Sequence, residues 1–180
     1  MTLQAVQTAV YDTFGPLYAG QLADSGSLMM NQFVRNYRTE AGVGPLVFGR
    51  GVVKGTLNVQ ADPILTPYAV KGVLAASVDA DFVGIMVLNQ ASDSDANNNA
   101  VPTRTPTMVA IAERGSKVVI GANVPAGITI AHGDPVYISV SHASIPVGEF
   151  SNAAATGLVL LTGPTWYGAA AAGSVGRISL

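Results

Sequence analysis

From residue 46 to the C-terminus the chain is a series of short apolar runs rich in Val and Ile, each ended by Gly, Pro, Asn or Asp. They fall at Val70–Leu74, Phe82–Leu88, Met108–Ala112, Lys117–Ile120, Val136–Val140, Leu158–Leu161 and Val175–Leu180. β-Branched side chains suit a pleated, half-buried surface, and the breakers between them end a strand and start a turn. No stretch repeats its apolar residues at the helical period. The pattern therefore predicts an all-β fold whose core is a small β-barrel or a β-sandwich. Around Gly49-Arg-Gly51, Val47, Phe48, Val52 and Val53 add a further strand region in which the glycines point to a bulge or a close backbone approach. The run Ala169–Ala172 reads either as one helical turn or as a loop.

The surface such strands can present is short of charge. Charged residues make up 11% of the 180 residues, against about 25% in an ordinary domain. Hydrophobic residues reach 49%, yet no apolar run approaches the ~20 residues of a membrane span. The apolar excess must enter a core or lie against other protein subunits, and no membrane partner is expected. The nine Lys and Arg are scattered between Arg35 and Arg177 and the net charge is −2. Phosphate backbones are bound by clustered cations, so no nucleic-acid partner is expected either. There is no cysteine, hence no disulfide framework or thiolate metal site. The start, Met1-Thr-Leu-Gln-Ala5, has neither a basic segment nor a long apolar one, which fits production in a cytoplasm without a signal peptide.

Residues 1–45 differ from the rest. Gly15-Pro16, Gly20 and Gly26 interrupt any regular element, while Tyr11, Phe14, Tyr18, Phe33 and Tyr37 supply aromatics. This stretch is either an extended arm that wraps a partner or a few strands and turns of the same domain. The organisation expected is an irregular N-terminal arm over 1–45 and a β core over 46–180. A polar loop over 89–106, Asn89 to Pro106, is exposed.

Candidate chemistry is sparse. Asp93-Ser-Asp95-Ala-Asn97 matches the opening of a calcium loop, but Asn98 stands where glycine is required and Arg104 where a bidentate Glu should close the site. His132-Gly-Asp134 pairs an imidazole with a carboxylate, yet no Gly-x-Ser-x-Gly elbow and no cysteine supplies a nucleophile. A turn ahead of a strand begun by Pro135 accounts for the same residues. His142 reads as a loop residue. Asp79 and Asp81 read as solvent-facing gatekeepers before the Phe82 run. Nucleotide cradles of the G-x-x-x-x-G-K-[ST] or G-x-G-x-x-G type are absent. No catalytic, cofactor or metal residue is expected, and the reading is non-enzymatic.

The order of segments is more specific than any of these. Gly15-Pro-Leu-Tyr-Ala-Gly-Gln-Leu-Ala-Asp-Ser25 precedes Glu40-Ala-Gly42 and Phe48-Gly-Arg-Gly-Val-Val53. Phe82-Val-Gly-Ile-Met-Val87, Met108-Val-Ala-Ile-Ala-Glu-Arg-Gly115, Gly133-Asp-Pro-Val-Tyr-Ile138 and Gly173-Ser-Val-Gly-Arg-Ile-Ser-Leu180 follow. This series resembles the cement, or head-decoration, proteins of tailed bacteriophages. The resemblance runs from about Gly15 to the C-terminus, leaves out the 89–106 loop, and places no catalytic residue on the chain. It implies a virion structural protein on the capsid exterior that associates as a dimer or trimer. There it would bridge major capsid protein subunits and strengthen the shell against DNA pressure. Tyr11, Phe14, Tyr18 and Phe33 are then the expected contacts to neighbouring subunits. The alternative is an adhesive or carbohydrate-binding β-module of a phage surface or tail, with Trp166 as its lone tryptophan platform; a hydrolase built on His132 and Asp134 is the remotest reading.

Overall fold

The computed structural model describes residues 18–22, 34–40, 46–57, 68–88, 99–100 and 108–180. Among the described residues, twelve strands follow in chain order. They are β1 (Val34–Arg38), β2 (Leu46–Val47), β3 (Gly51–Leu57), β4 (Tyr68–Gly72), β5 (Phe82–Met86), β6 (Asn99–Ala100), β7 (Met108–Glu113), β8 (Val119–Asn123), β9 (Pro135–Ser139), β10 (Phe150–Ser151), β11 (Leu158–Trp166) and β12 (Val175–Ser179). One 3-10 turn, Asp79–Asp81, precedes β5. Among the described residues no helix is long and apolar enough to cross a membrane.

The strands form two five-stranded antiparallel sheets and a two-stranded ribbon of β2 and β6. The N-terminal sheet has the order β1-β7-β5-β3-β4 and the C-terminal sheet β10-β9-β11-β12-β8. Of the two architectures expected, the packed pair of sheets is the one found. Closure into a barrel is not. The N-terminal sheet curls until its edges meet at a bridge between Thr39 and Val70, where the Glu40 N–H also donates to the Val70 carbonyl at 2.9 Å. The C-terminal sheet keeps separate edges.

Two cores result. Between the sheets, Val53, Phe82, Ile85, Ala110 and Ala112 pack on Ile120, Val136, Ile138, Phe150, Leu161, Trp166 and Ile178. Inside the curl of the N-terminal sheet, Tyr37, Leu46, Phe48, Val52, Val70, Val83, Met86, Val109 and Ile111 form the second. Strands buried on both faces need apolar residues at every position rather than at alternate ones. Every residue of β5 is accordingly buried: Phe82 and Ile85 serve one core, Val83 and Met86 the other. Strand β9 faces a core on one side only and reads Val136 in, Tyr137 out, Ile138 in.

Within the first 45 residues, β1 pairs with β7 from Val34 to Arg38. The boundary expected at 45 falls in residues 41–45, outside the described residues, as do the calcium-like segment 93–97 and most of the 89–106 loop. Ala170 lies opposite Ile130 in an isolated antiparallel bridge, so the alanine run is a loop and not a helical turn.

Candidate functional site

The polar side chains that do the most work join elements to each other. The first joint is the Phe48-Gly-Arg-Gly segment between β2 and β3. Gly49 donates its N–H to the Met86 carbonyl at 2.9 Å, and Gly51 donates to Gly148 of the C-terminal sheet's loop at 2.9 Å. Arg50 reaches the same loop, its Nη2 standing 2.9 Å from Glu149 Oε1. The expected close backbone approach is real, and its partner is Gly20. Gly20 donates to Gly121 of β8 at 2.8 Å and accepts from Leu88 at 2.8 Å, so one residue links the C-terminal sheet to the segment just after β5. Gly20 and Gly49 have φ of +80° and +75°. A Cβ on Gly20 would stand 2.8 Å from the Gly49 nitrogen, and one on Gly49 2.6 Å from the Gly20 nitrogen. Only two residues without Cβ fit face to face here.

A second joint corrects the reading of Asp79. It is no gatekeeper: its carboxylate is 3.0 Å from Arg114 Nη1 and accepts the Thr162 N–H of β11 at 3.1 Å. Arg114 also donates to the Thr162 carbonyl. Burial disfavours the Asp79 charge, but the bonds from Arg114 and Thr162 outweigh it and hold the carboxyl below its usual range. Asp81 turns back on its own 3-10 turn and accepts the Val78 N–H at 3.0 Å.

A third set closes the curled sheet. Glu40 accepts from the Thr56 N–H at 3.3 Å and its hydroxyl at 2.9 Å, and pairs with Lys71 at 3.7 Å. It thereby fills the bulge where the β3–β4 register shifts between Lys54 and Leu57. Tyr37 stacks on Tyr68 with ring centroids 5.9 Å apart and donates its hydroxyl to Glu113. Burial, then that bond, pushes the Tyr37 phenol far above its ordinary pKa, so it remains a donor.

The residues with a chemical reading are accounted for by turns. Asp134 accepts from the Ala131 N–H at 2.8 Å and from Asn152 at 2.6 Å; those two bonds lower its pKa. His132 instead accepts the Gly168 N–H at 3.0 Å and sets its ring edge-on to Tyr167. The two side chains are held by different partners and form no base with an orienting acid. His142 Nδ1 accepts from Ile145 at 3.1 Å and Ser144 at 3.2 Å, closing a loop turn. Among the described residues no cluster of three His, Cys, Asp or Glu could hold a metal ion. Trp166 is wholly buried, with Nε1 on the Ser151 carbonyl at 3.3 Å, and offers no face for a sugar to stack on.

Of the four expected contact residues, Tyr11, Phe14 and Phe33 lie outside the described residues. Tyr18 is 60% exposed, two residues before the Gly20 joint.

Over residues 6–180 the sequence matches the family described as structural cement protein (E217 gp24/Pam3 gp6). The chain belongs to the phage structural cement protein family. A solved chain from the capsid of Myoviridae phage XM1 has a similar fold, with a TM-score of 0.60 at 15% identity, covering 98% of this chain and 97% of that one. No curated protein matches the sequence.

Gly20, Glu40, Gly49-Arg-Gly51, Arg114 and Gly133-Asp134 all sit in the segments that carry the resemblance, and each holds one element of the double sheet to another. Sequence reasoning missed the roles of Glu40, Asp79, Arg114 and Glu149. Isolated charges in a chain so poor in charge were the available signal, since each side chain of that kind left in a neutral sequence needs a partner.

Proposed function

We propose that this chain is a non-enzymatic component of the phage virion that binds the outer surface of the icosahedral head and bridges major capsid protein subunits. Family membership across residues 6–180 carries this reading. The architecture supports it: paired side chains join the sheets to one another, and the His, Asp and Trp residues with a chemical reading close turns or fill the core. Bridging repeated subunits calls for wide complementary area, roughly 800 Å² per partner in a standard interface, and for no reactive group. A protein that binds only the assembled shell stabilises it by mass action, and the gain is multiplied over symmetric copies. Resistance to internal DNA pressure follows from that linkage. Within this reading Tyr11, Phe14, Tyr18 and Phe33 are the contacts made by the N-terminal arm, and copies of the chain associate with one another.

Co-sedimentation of the purified protein with expanded shells lacking it tests the proposal. Saturation at a fixed ratio to the major capsid protein, with shells that break at higher temperature, is the expected result. Intact shells that bind no copies would overturn it.

A further inference from the structure

Strands β3 and β4 and the loop that leads from β4 to the 3-10 turn line an open cavity of about 200 Å³. Val53 and Leu74 give it apolar wall, while Lys54, Lys71, Ser77 and Asp81 give it polar groups. The Lys54 ammonium is fixed by two neutral neighbours. It donates to the Ala80 carbonyl at 2.8 Å and stands 5.9 Å from the centre of the Tyr68 ring. Both neighbours orient a cation without cancelling its charge. Among the described residues no carboxylate pairs with it.

Lys71 lies on the adjoining strand, opposite Val53. Its carboxylate partner, Glu40, is 3.7 Å away and also accepts from the N–H and the hydroxyl of Thr56. Asp81 brings one negative charge to the cavity, with Oδ2 turned to the Val78 N–H. Ser77 Oγ accepts the Leu74 N–H at 3.0 Å, so its own hydroxyl hydrogen is left to donate. Two ammonium groups and a hydroxyl donor therefore face a single carboxylate.

We propose that this cavity binds an aliphatic carboxylate. Two lysines against one aspartate leave one positive charge, which matches a monoanion rather than a doubly charged phosphate. A preplaced ammonium makes short, charge-assisted hydrogen bonds to a carboxylate. Val53 and Leu74 cover a short hydrocarbon stem, and apolar wall with a few convergent polar groups is how small-ligand sites are built. The volume admits an acid of a few carbons and excludes a nucleotide. Two sources carry this group: a free short-chain acid, and a glutamate side chain on a bound protein. The site itself does not depend on head binding, because every group that lines it belongs to this chain.

NMR of the full chain labelled with ¹³C-lysine tests the site, with butyrate as the probe at constant ionic strength. The chain has three lysines, and Lys117, in the turn between β7 and β8, lies outside the cavity and serves as an internal reference. The Lys54 and Lys71 side-chain signals should follow saturating curves with one midpoint while Lys117 stays in place. Lys54→Gln should raise the dissociation constant read at Lys71 about tenfold or more. Leu74→Asp keeps both lysines and sets a repelling charge on the wall; it should weaken binding likewise, and it decides the matter if Lys54→Gln disturbs the fold. Equal, linear drift of all three signals overturns the site, as does a Lys54→Gln protein whose Lys71 curve is unchanged. Co-sedimentation with shells then identifies the source. A fall of about tenfold or more in shell binding by Lys54→Gln assigns the carboxylate to a capsid subunit. Unchanged shell binding by that variant, with butyrate bound by the wild type, assigns it to a free acid. A wild-type protein that binds butyrate and ignores shells rejects the cement role and leaves the site standing.

Discussion

Arg50 and Glu149 lie ninety-nine residues apart in sequence and 2.9 Å apart in space, tying the N-terminal sheet to the loop before β10. The Glu149 side chain is 11% exposed and that of Arg50 29%. Removing the arginine leaves a nearly buried carboxylate without its cation. Arg50→Ala should therefore cost about 2–3 kcal/mol, somewhat less than a fully buried pair loses. For a chain of this size that lowers Tm by roughly 5–10 °C. The double variant Arg50→Met, Glu149→Leu should recover most of the loss, because no charge is then left stranded. A double variant whose loss equals the sum of the two single losses, measured by thermal unfolding, would mean that the pair is not coupled.

The Asp79 joint predicts a pH dependence. Its carboxyl is held below the usual value, because the bonds from Arg114 and Thr162 exceed the opposing effect of burial. A group whose folded pKa is depressed stabilises the fold above its unfolded pKa, near 3.9 for Asp, and that stability is lost as pH falls through the folded value. Wild-type stability should fall below about pH 4, with Asp134 adding to the same window because its pKa is lowered too. Asp79→Asn should be less stable than wild type at pH 7 and should show a shallower acid limb, the two proteins converging at the lowest pH. Denaturant titrations from pH 7 to pH 2.5 check this; parallel curves would exclude Asp79 as a source of the slope.

The strands themselves were legible because local composition dictates them. The run expected at Met108–Ala112 is the strand Met108–Glu113, and that at Val175–Leu180 is Val175–Ser179. Strand β1 was not legible: Val34-Arg-Asn-Tyr-Arg38 has two apolar residues and two arginines, and it is a strand because β7 pairs with it along its whole length. The fully apolar β5 announced burial on both faces without showing that two cores exist. Nor could a sequence place Gly20 against Gly49, or Asp79 against Thr162, since contacts between residues far apart in the chain depend on how the sheets stack. The turn at His132-Gly-Asp134 was read correctly, because Asp, Gly and Pro specify it locally.

Gly20 and Gly49 should be intolerant of any side chain. Each has a positive φ, and each would drive a Cβ to within 3 Å of the other's backbone. Left-handed strain costs roughly 1–2 kcal/mol for an L-residue and the steric overlap adds to it. Gly20→Ala and Gly49→Ala should each lose at least ~2 kcal/mol. The double variant should lose less than the sum, because residues in contact do not behave independently. Strict additivity in denaturant unfolding would mean that the two sites relax separately.

Trp166 provides an optical test of the core. It is the sole tryptophan and is wholly buried, so native fluorescence should be blue-shifted and move red on unfolding. Gly176 makes room for its ring: a Cβ there would stand 2.8 Å from Cζ3. Gly176→Ala should cost about 1–3 kcal/mol by overpacking, and Trp166→Ala about 3–5 kcal/mol by leaving a cavity. Addition of glycans should leave the emission unchanged. Quenching by a sugar would reopen the adhesive reading.

The position of Gly20 sets where the chain can be cut to test the proposed N-terminal arm. Gly20, Gln21 and Leu22 pair with β8, so a deletion through residue 30 removes part of the double-sheet assembly along with the arm. Deletion of residues 1–17 stops short of that joint and takes away Tyr11 and Phe14 only. The shorter deletion should leave far-UV circular dichroism and Tm close to wild type while shell binding, read by co-sedimentation, falls at least tenfold. The longer one should lower Tm as well, since it also removes the hydrogen bonds of Gly20 with Gly121 and Leu88. Full shell binding by the 1–17 deletion would exclude Tyr11 and Phe14 as capsid contacts and move the attachment to surfaces of the β core. A fall in Tm from the shorter deletion would instead mean that residues before Tyr18 belong to the fold.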